Sequence, residues 1–80
     1  MKEYIATFHT HLSALLTSRA LTGLGIQARM MPVPRNLSSS CGTCVRYLAD
    51  APNLSAMDED VEAVYEKIGK EEYTLLMNAE

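Results

Sequence analysis

The stretch Met57-Asp58-Glu59-Asp60-Val61-Glu62-Ala63-Val64-Tyr65-Glu66-Lys67-Ile68 sets apolar side chains at positions 57, 61, 64, 65 and 68 against acids at 58, 59, 60, 62 and 66. On a helix the first set shares one face and the second set the other, the pattern of an amphipathic surface helix. Ser55 stands three residues before Asp58 in the manner of a capping box. The acids gather at the end that the helix dipole favours, and Gly69 follows as a stop. A helix is therefore expected here, with its acidic side solvated or turned to a partner. That expectation decides the fold read for the rest of the chain.

Downstream, Tyr73-Thr74-Leu75-Leu76-Met77 reads as a closing strand. Upstream, Thr43-Cys44-Val45-Arg46-Tyr47-Leu48 reads as extended before the turn residues Asp50, Pro52 and Asn53. Residues 26–31 alternate and end at Pro32, where a ladder donor is lost, so this is expected to be an edge strand. Tyr4-Ile5-Ala6-Thr7-Phe8 is a further strand, and Thr10 can cap the helix that follows. Leu12, Leu15, Leu16, Ala20 and Leu24 recur near the helical period over residues 11–24, and Gly25 supplies a left-handed stop with Ile26 packing back.

The order is β-α-β-β-α-β across one domain, residues 1–80, with no repeat or linker. This is the ferredoxin-like split βαβ pattern, an α+β fold with a four-stranded antiparallel sheet in the order 4-1-3-2 and two helices on one face. In that topology the first two strands run parallel, with the third antiparallel between them. The end of the first strand (Phe8, His9), the start of the first helix (Thr10, His11), the end of the second strand (Pro32 to Arg35) and the start of the third (Cys41) should then meet at one edge.

A chain of 80 residues, 48% hydrophobic and 21% charged, has the composition of a small globular domain. It buries only about 60% of its unfolded surface. The net charge of −3 and the lack of a Lys/Arg cluster argue against nucleic acid as partner. No apolar run approaches the roughly 20 residues that span a bilayer. Met1-Lys2-Glu3-Tyr4 runs directly into a strand pattern without a secretory signal, so no membrane insertion and a cytoplasmic location are expected. No Ser/His/Asp, paired-carboxylate, P-loop or Rossmann pattern is present, and no cofactor is implied.

Two cysteines in a reducing compartment point to thiol chemistry or metal binding rather than to a structural disulfide. Cys41 follows three serines and precedes Gly42, a loop setting that suits a reactive thiol; a small buried residue at a strand start is the plainer reading. Helix one's N-terminus, Arg35 and His9 or His11 are the candidates to stabilise its thiolate. Gly42 leaves room beside it, Pro32 and Pro34 stiffen the approach, and Ser38 and Ser40 can bind backbone groups or an anion. Cys44, three positions on, is expected to be scaffold, because extended backbone sends the two thiols to opposite faces. Only a turned backbone would let Cys41 and Cys44 act as a redox pair. His9, His11, Cys41 and Cys44 are also the right ligands for tetrahedral zinc, although HxH followed by a distant CxxC fits no common finger.

The residues Pro32-Val33-Pro34-Arg35, the serines 38–40 and Cys41-Gly42, set after a strand, a helix and a second strand, resemble the selenium/sulfur carrier protein-like family of small bacterial and archaeal proteins. The resemblance runs from Tyr4 to about Met77. It implies Cys41 as the carrying thiol, with Gly42, Arg35, Pro32 and Pro34 as the frame that presents it. Thr43-Cys44 departs from the family pattern, which has an aliphatic residue followed by a small one. The expected function is a non-enzymatic carrier or relay in which Cys41 accepts sulfur or selenium from a donor protein and passes it to an acceptor. A CxxC thiol-disulfide protein and a non-catalytic interaction module with an exposed edge strand are the alternatives.

Overall fold

A computed structural model of the chain describes residues 1–79. Its elements are β1 (Lys2–Phe8), α1 (His11–Gly23), β2 (Gln27–Pro32), β3 (Thr43–Ala49), a 3-10 turn (Leu54–Ala56), β4 (Val61–Lys67) and β5 (Tyr73–Asn78). The strands form one sheet in the order β2-β3-β1-β4-β5, antiparallel at every pairing. The fold is thus α+β, as expected, but among the described residues it has five strands and a single α-helix. It is not the four-stranded, two-helix ferredoxin-like arrangement.

The difference lies in residues 57–68. They open with the 3-10 turn's exit and then form β4, whose ladder pairs Phe8 with Val61 and Thr7 with Ala63, leaving Glu62 as the extra residue of a β-bulge. The bulge interrupts the period of two, so Val61 and Val64, three apart, both join the core cluster on the helix side of the sheet. Three-residue spacing is also a helical spacing, and this is why the segment imitates an amphipathic helix. Val61, Val64 and Tyr65 are β-branched or aromatic and suit a strand. Asp58 caps no helix of its own: it accepts a hydrogen bond from Ser13 Oγ of α1 at 2.7 Å. β4 takes the place beside β1 expected for the last strand, and β5 pairs on its outer side. The 2-3-1 part of the expected order stands.

The helix begins at Thr10, whose Oγ1 accepts from Ser13 N at 3.1 Å. It ends in a Schellman motif: Ile26 N bonds Leu21 O and Gly25 N bonds Thr22 O, both at 3.0 Å, with Gly25 at φ +81°. Its buried face is not the leucine stripe, since Leu12, Leu16 and Leu24 are exposed while Ser13, Ala14, Thr17 and Leu21 are buried. The polar pair fits because the chain before β4 supplies partners: Thr17 Oγ1 accepts from Asp58 N at 2.9 Å, beside the Ser13–Asp58 bond.

Beneath α1 the core is built from Tyr4, Ala6 and Phe8 of β1, Val45 and Tyr47 of β3, and Val64 of β4, all essentially fully buried. Each large apolar side chain buried there contributes about 1.5–3 kcal/mol. The opposite face carries Ile5, Thr7 and Cys44, which are equally buried although no helix covers them. The loop between β2 and β3 accounts for this. Its Asn36 Nδ2 donates to Glu71 O of the β4–β5 hairpin at 2.7 Å, and that hairpin lies at the sheet end opposite to the one where the loop begins. The loop must therefore run across the second face, and Val33, Pro34 and Leu37 within it are half-buried. Among the described residues no helix is long and apolar enough to cross a membrane.

Candidate functional site

The expected gathering of chain ends occurs, but without Arg35, whose neighbour Asn36 is bonded to Glu71 of the hairpin at the other end of the sheet. β1 and β2 both run antiparallel to β3, so Thr7 stands opposite Cys44 and Pro32 opposite Thr43 at the same end of the sheet. The start of β4 joins them through the Phe8–Val61 pair and a bond from His9 N to Asp60 O at 3.0 Å. The β2–β3 loop closes with Val33 N bonded to Gly42 O at 3.2 Å. Within it Leu37 N returns to Pro34 O at 2.9 Å, a turn that sets Arg35 and Asn36 at its tip.

Cys41 is half-buried and packs against the helix-side core. Its Sγ donates to Thr43 O at 3.4 Å and lies 3.9 Å from Ser39 Oγ, whose hydroxyl in turn donates to Phe8 O at 2.8 Å. Gly42 adopts φ +73° with open space where a side chain would lie, so glycine is needed there for the backbone conformation rather than to avoid a clash. Cys44 is fully buried on the other face, where its Sγ donates to Pro32 O at 3.7 Å. Burial first, and the nearby Cys41 second, push its pKa up to about 11. Both cysteines are free.

Next to Cys41, Ser40 is bound to Glu62. The serine N–H donates to Oε1 at 3.1 Å and the hydroxyl to Oε2 at 2.6 Å. His9 Nδ1 lies 3.3 Å from the same Oε2 and 3.5 Å from Ser40 Oγ. The Glu62 side chain is only 15% exposed, against 46% for His9. Burial alone would raise the Glu62 carboxyl. Hydrogen bonds from the Ser40 hydroxyl and the Ser40 N–H, with the adjoining Ser39 and His9, outweigh it and hold the carboxyl below its ordinary value.

None of the other sequence candidates is bonded to the thiol. Among the described residues no hydrogen bond or ion pair joins Cys41 to His9, His11 or Arg35. His9 is engaged with Glu62 and Ser40. His11 Nδ1 is 3.4 Å from Thr43 Oγ1, which brings the first turn of α1 to the start of β3. Arg35 and Ser38 are exposed. The zinc set is not assembled: among the described residues no group of three or more His, Cys, Asp or Glu side chains is placed to hold a metal ion. The sequence alone does not single out Glu62 or Ser39. Reading V-E-A-V-Y as a strand would have brought Glu62 to this end of the sheet.

This geometry is a small antiparallel sheet with one half-buried thiol on a braced loop and a second thiol fully buried on the sheet's other face. The sequence profile of the family described as "Putative Se/S carrier protein-like" matches residues 3–73, so the chain belongs to that family. It is also 36% identical over 45 residues to a protein of Escherichia coli (strain K12) named "Uncharacterized protein YtiA". That match spans 56% of this chain and 53% of the relative. No solved structure matches the chain.

Proposed function

We propose that the protein is a carrier that accepts sulfur, or its heavier congener selenium, on Cys41 Sγ and delivers it to an acceptor protein. The observation that carries this reading is the contrast between the two thiols. Cys41 is half-buried in a loop, while Cys44 is fully buried with its pKa pushed up to about 11. Only the first suits a nucleophile that must meet a donor. Loading is a sulfane transfer: Cys41 thiolate attacks the outer sulfur of a donor persulfide, a new S–S bond forms on Cys41, and the donor's S–S bond breaks with its electron pair leaving on the donor thiolate. The redox state is conserved, so neither oxidant nor metal is required. Unloading repeats the step with the acceptor thiolate as nucleophile.

The test is incubation with a persulfide-forming sulfurtransferase and its sulfur donor, followed by intact-protein mass spectrometry. Wild type and Cys44→Ala should each gain one sulfur, and Cys41→Ser none. Absence of the adduct on wild type, with the donor enzyme shown to be active, refutes the reading.

A further inference from the structure

We infer that Glu62 is a positioning residue for Cys41: from its bulge on β4, its carboxylate anchors the segment Ser39–Ser40 and so fixes the direction in which the next residue's thiol is presented. Three observations converge on this. Glu62 is the unpaired extra residue between the Phe8–Val61 and Thr7–Ala63 pairs, so its side chain is released from the regular alternation of the sheet. The carboxylate spends one oxygen on Ser40 N and the other on Ser40 Oγ, a two-point grip on the residue adjoining Cys41. His9, at the end of β1, closes on the same oxygen at 3.3 Å. The loop thereby gains an attachment to β4, while Ser39 Oγ attaches it to Phe8 O of β1. These ties supplement the Val33–Gly42 bond that closes the ten residues between β2 and β3.

The grip is strongest with a carboxylate. Its two oxygens meet both donors of one serine, whereas an amide keeps one acceptor, carries no charge, and reaches Ser40 Oγ through its nitrogen only if the hydroxyl turns to accept. Bonds to an ionised acceptor are also shorter and stronger than neutral ones, in keeping with the 2.6 Å separation to the hydroxyl. Glu62 does not touch the sulfur. Its effect on transfer rests on the carrier reading, whereas the anchoring itself can be measured without any sulfur donor.

The experiment is alkylation of the folded protein by iodoacetamide, with Cys41 and Cys44 followed separately, in wild type, Glu62→Gln, Ser40→Ala and the double variant. Glu62→Gln should speed Cys41 by roughly threefold or more, the factor expected when a hydrogen bond of ordinary net strength no longer holds a loop closed. Cys44 should stay protected, which a general loss of structure would not allow. Ser40→Ala, which removes the hydroxyl arm and keeps the N–H arm, should change the rate in the same direction, and the double variant should fall short of the sum, because both act on one contact. The Ser40 amide proton, held downfield by its bond to the carboxylate, should move upfield in Glu62→Gln. An unchanged Cys41 rate in both single variants, additive effects, or equal acceleration of Cys44 overturns the proposal. Should Glu62→Gln not fold, Ser40→Ala, which leaves the acid in place, decides alone. A Cys41 that alkylates as described yet accepts no sulfur would uphold the anchor and remove the carrier reading.

Discussion

Ser40 gives both of its donors to Glu62, the backbone N–H at 3.1 Å and the hydroxyl at 2.6 Å, and this contact ties the Cys41 loop to a strand 22 residues further along the chain. Because the Glu62 carboxyl is held below its ordinary value, its ionised form is bound more tightly folded than unfolded. The contact's stability is therefore present above the unfolded carboxylate pKa and is lost as pH falls through the folded one. His9 is the titratable side chain that faces it. In urea denaturation the gap between wild type and Glu62→Gln should be widest near neutrality and should close as acid takes the solution below the ordinary carboxylate range. A gap that is constant or grows in acid would contradict the assignment.

The two thiols should differ sharply toward reagents. With its pKa pushed up to about 11 by burial and by the neighbouring thiol, Cys44 stays protonated and enclosed at neutral pH. Mass spectrometry after a short iodoacetamide pulse should find one label on the native chain and two after denaturation. Rapid double labelling of the native protein would show that the loop does not cover Cys44.

Gly42, at φ +73° with nothing near a side chain, allows a clean test of backbone strain. Gly42→Ala should cost about 1–2 kcal/mol through conformation alone. Gly42→Asn should cost less, since asparagine enters the left-handed region more readily. Equal losses for the two in urea unfolding would point instead to an unseen steric contact.

Tyr47 stacks on Tyr4 with ring centroids 5.2 Å apart and donates its hydroxyl to Pro52 O at 2.5 Å. Burial, then the nearby Tyr4, push its pKa well above the usual tyrosine value. Tyr47→Phe keeps the stack and removes only the bond, at a cost of about 1 kcal/mol. A loss as large as that of Tyr47→Ala would mean that the ring itself had shifted.

The first half of the chain is legible because its signals are local. Thr10 caps α1, Gly25 ends it at positive φ, and the alternation through residues 26–31 belongs to β2. Parallel β1 and β2 with β3 between them follow, and with them the meeting of His9, His11 and Cys41 at one end. Residues 57–68 mislead because a bulge at Glu62 turns a two-residue period into a three-residue one, and no local signal marks a bulge. The inward face of α1 misleads for a related reason. Ser13 and Thr17 are buried because Asp58, distant in sequence, supplies their partners, while Leu12, Leu16 and Leu24 of the apolar pattern remain at the surface. Glu62 is hidden twice over, as one acid among many on a supposed helix and as a residue whose partner lies in a loop.

The measurement that bears most directly on the central claim is where an acquired sulfur resides. Cleavage after Arg35 and Arg46 places both thiols on one peptide, Asn36 to Arg46, so fragmentation of that peptide from sulfur-loaded wild type can assign the added atom. The carrier account predicts that it lies on Cys41 alone and departs on addition of an acceptor thiol. Sulfur on Cys44, or a Cys41–Cys44 disulfide formed in place of an adduct, would contradict it.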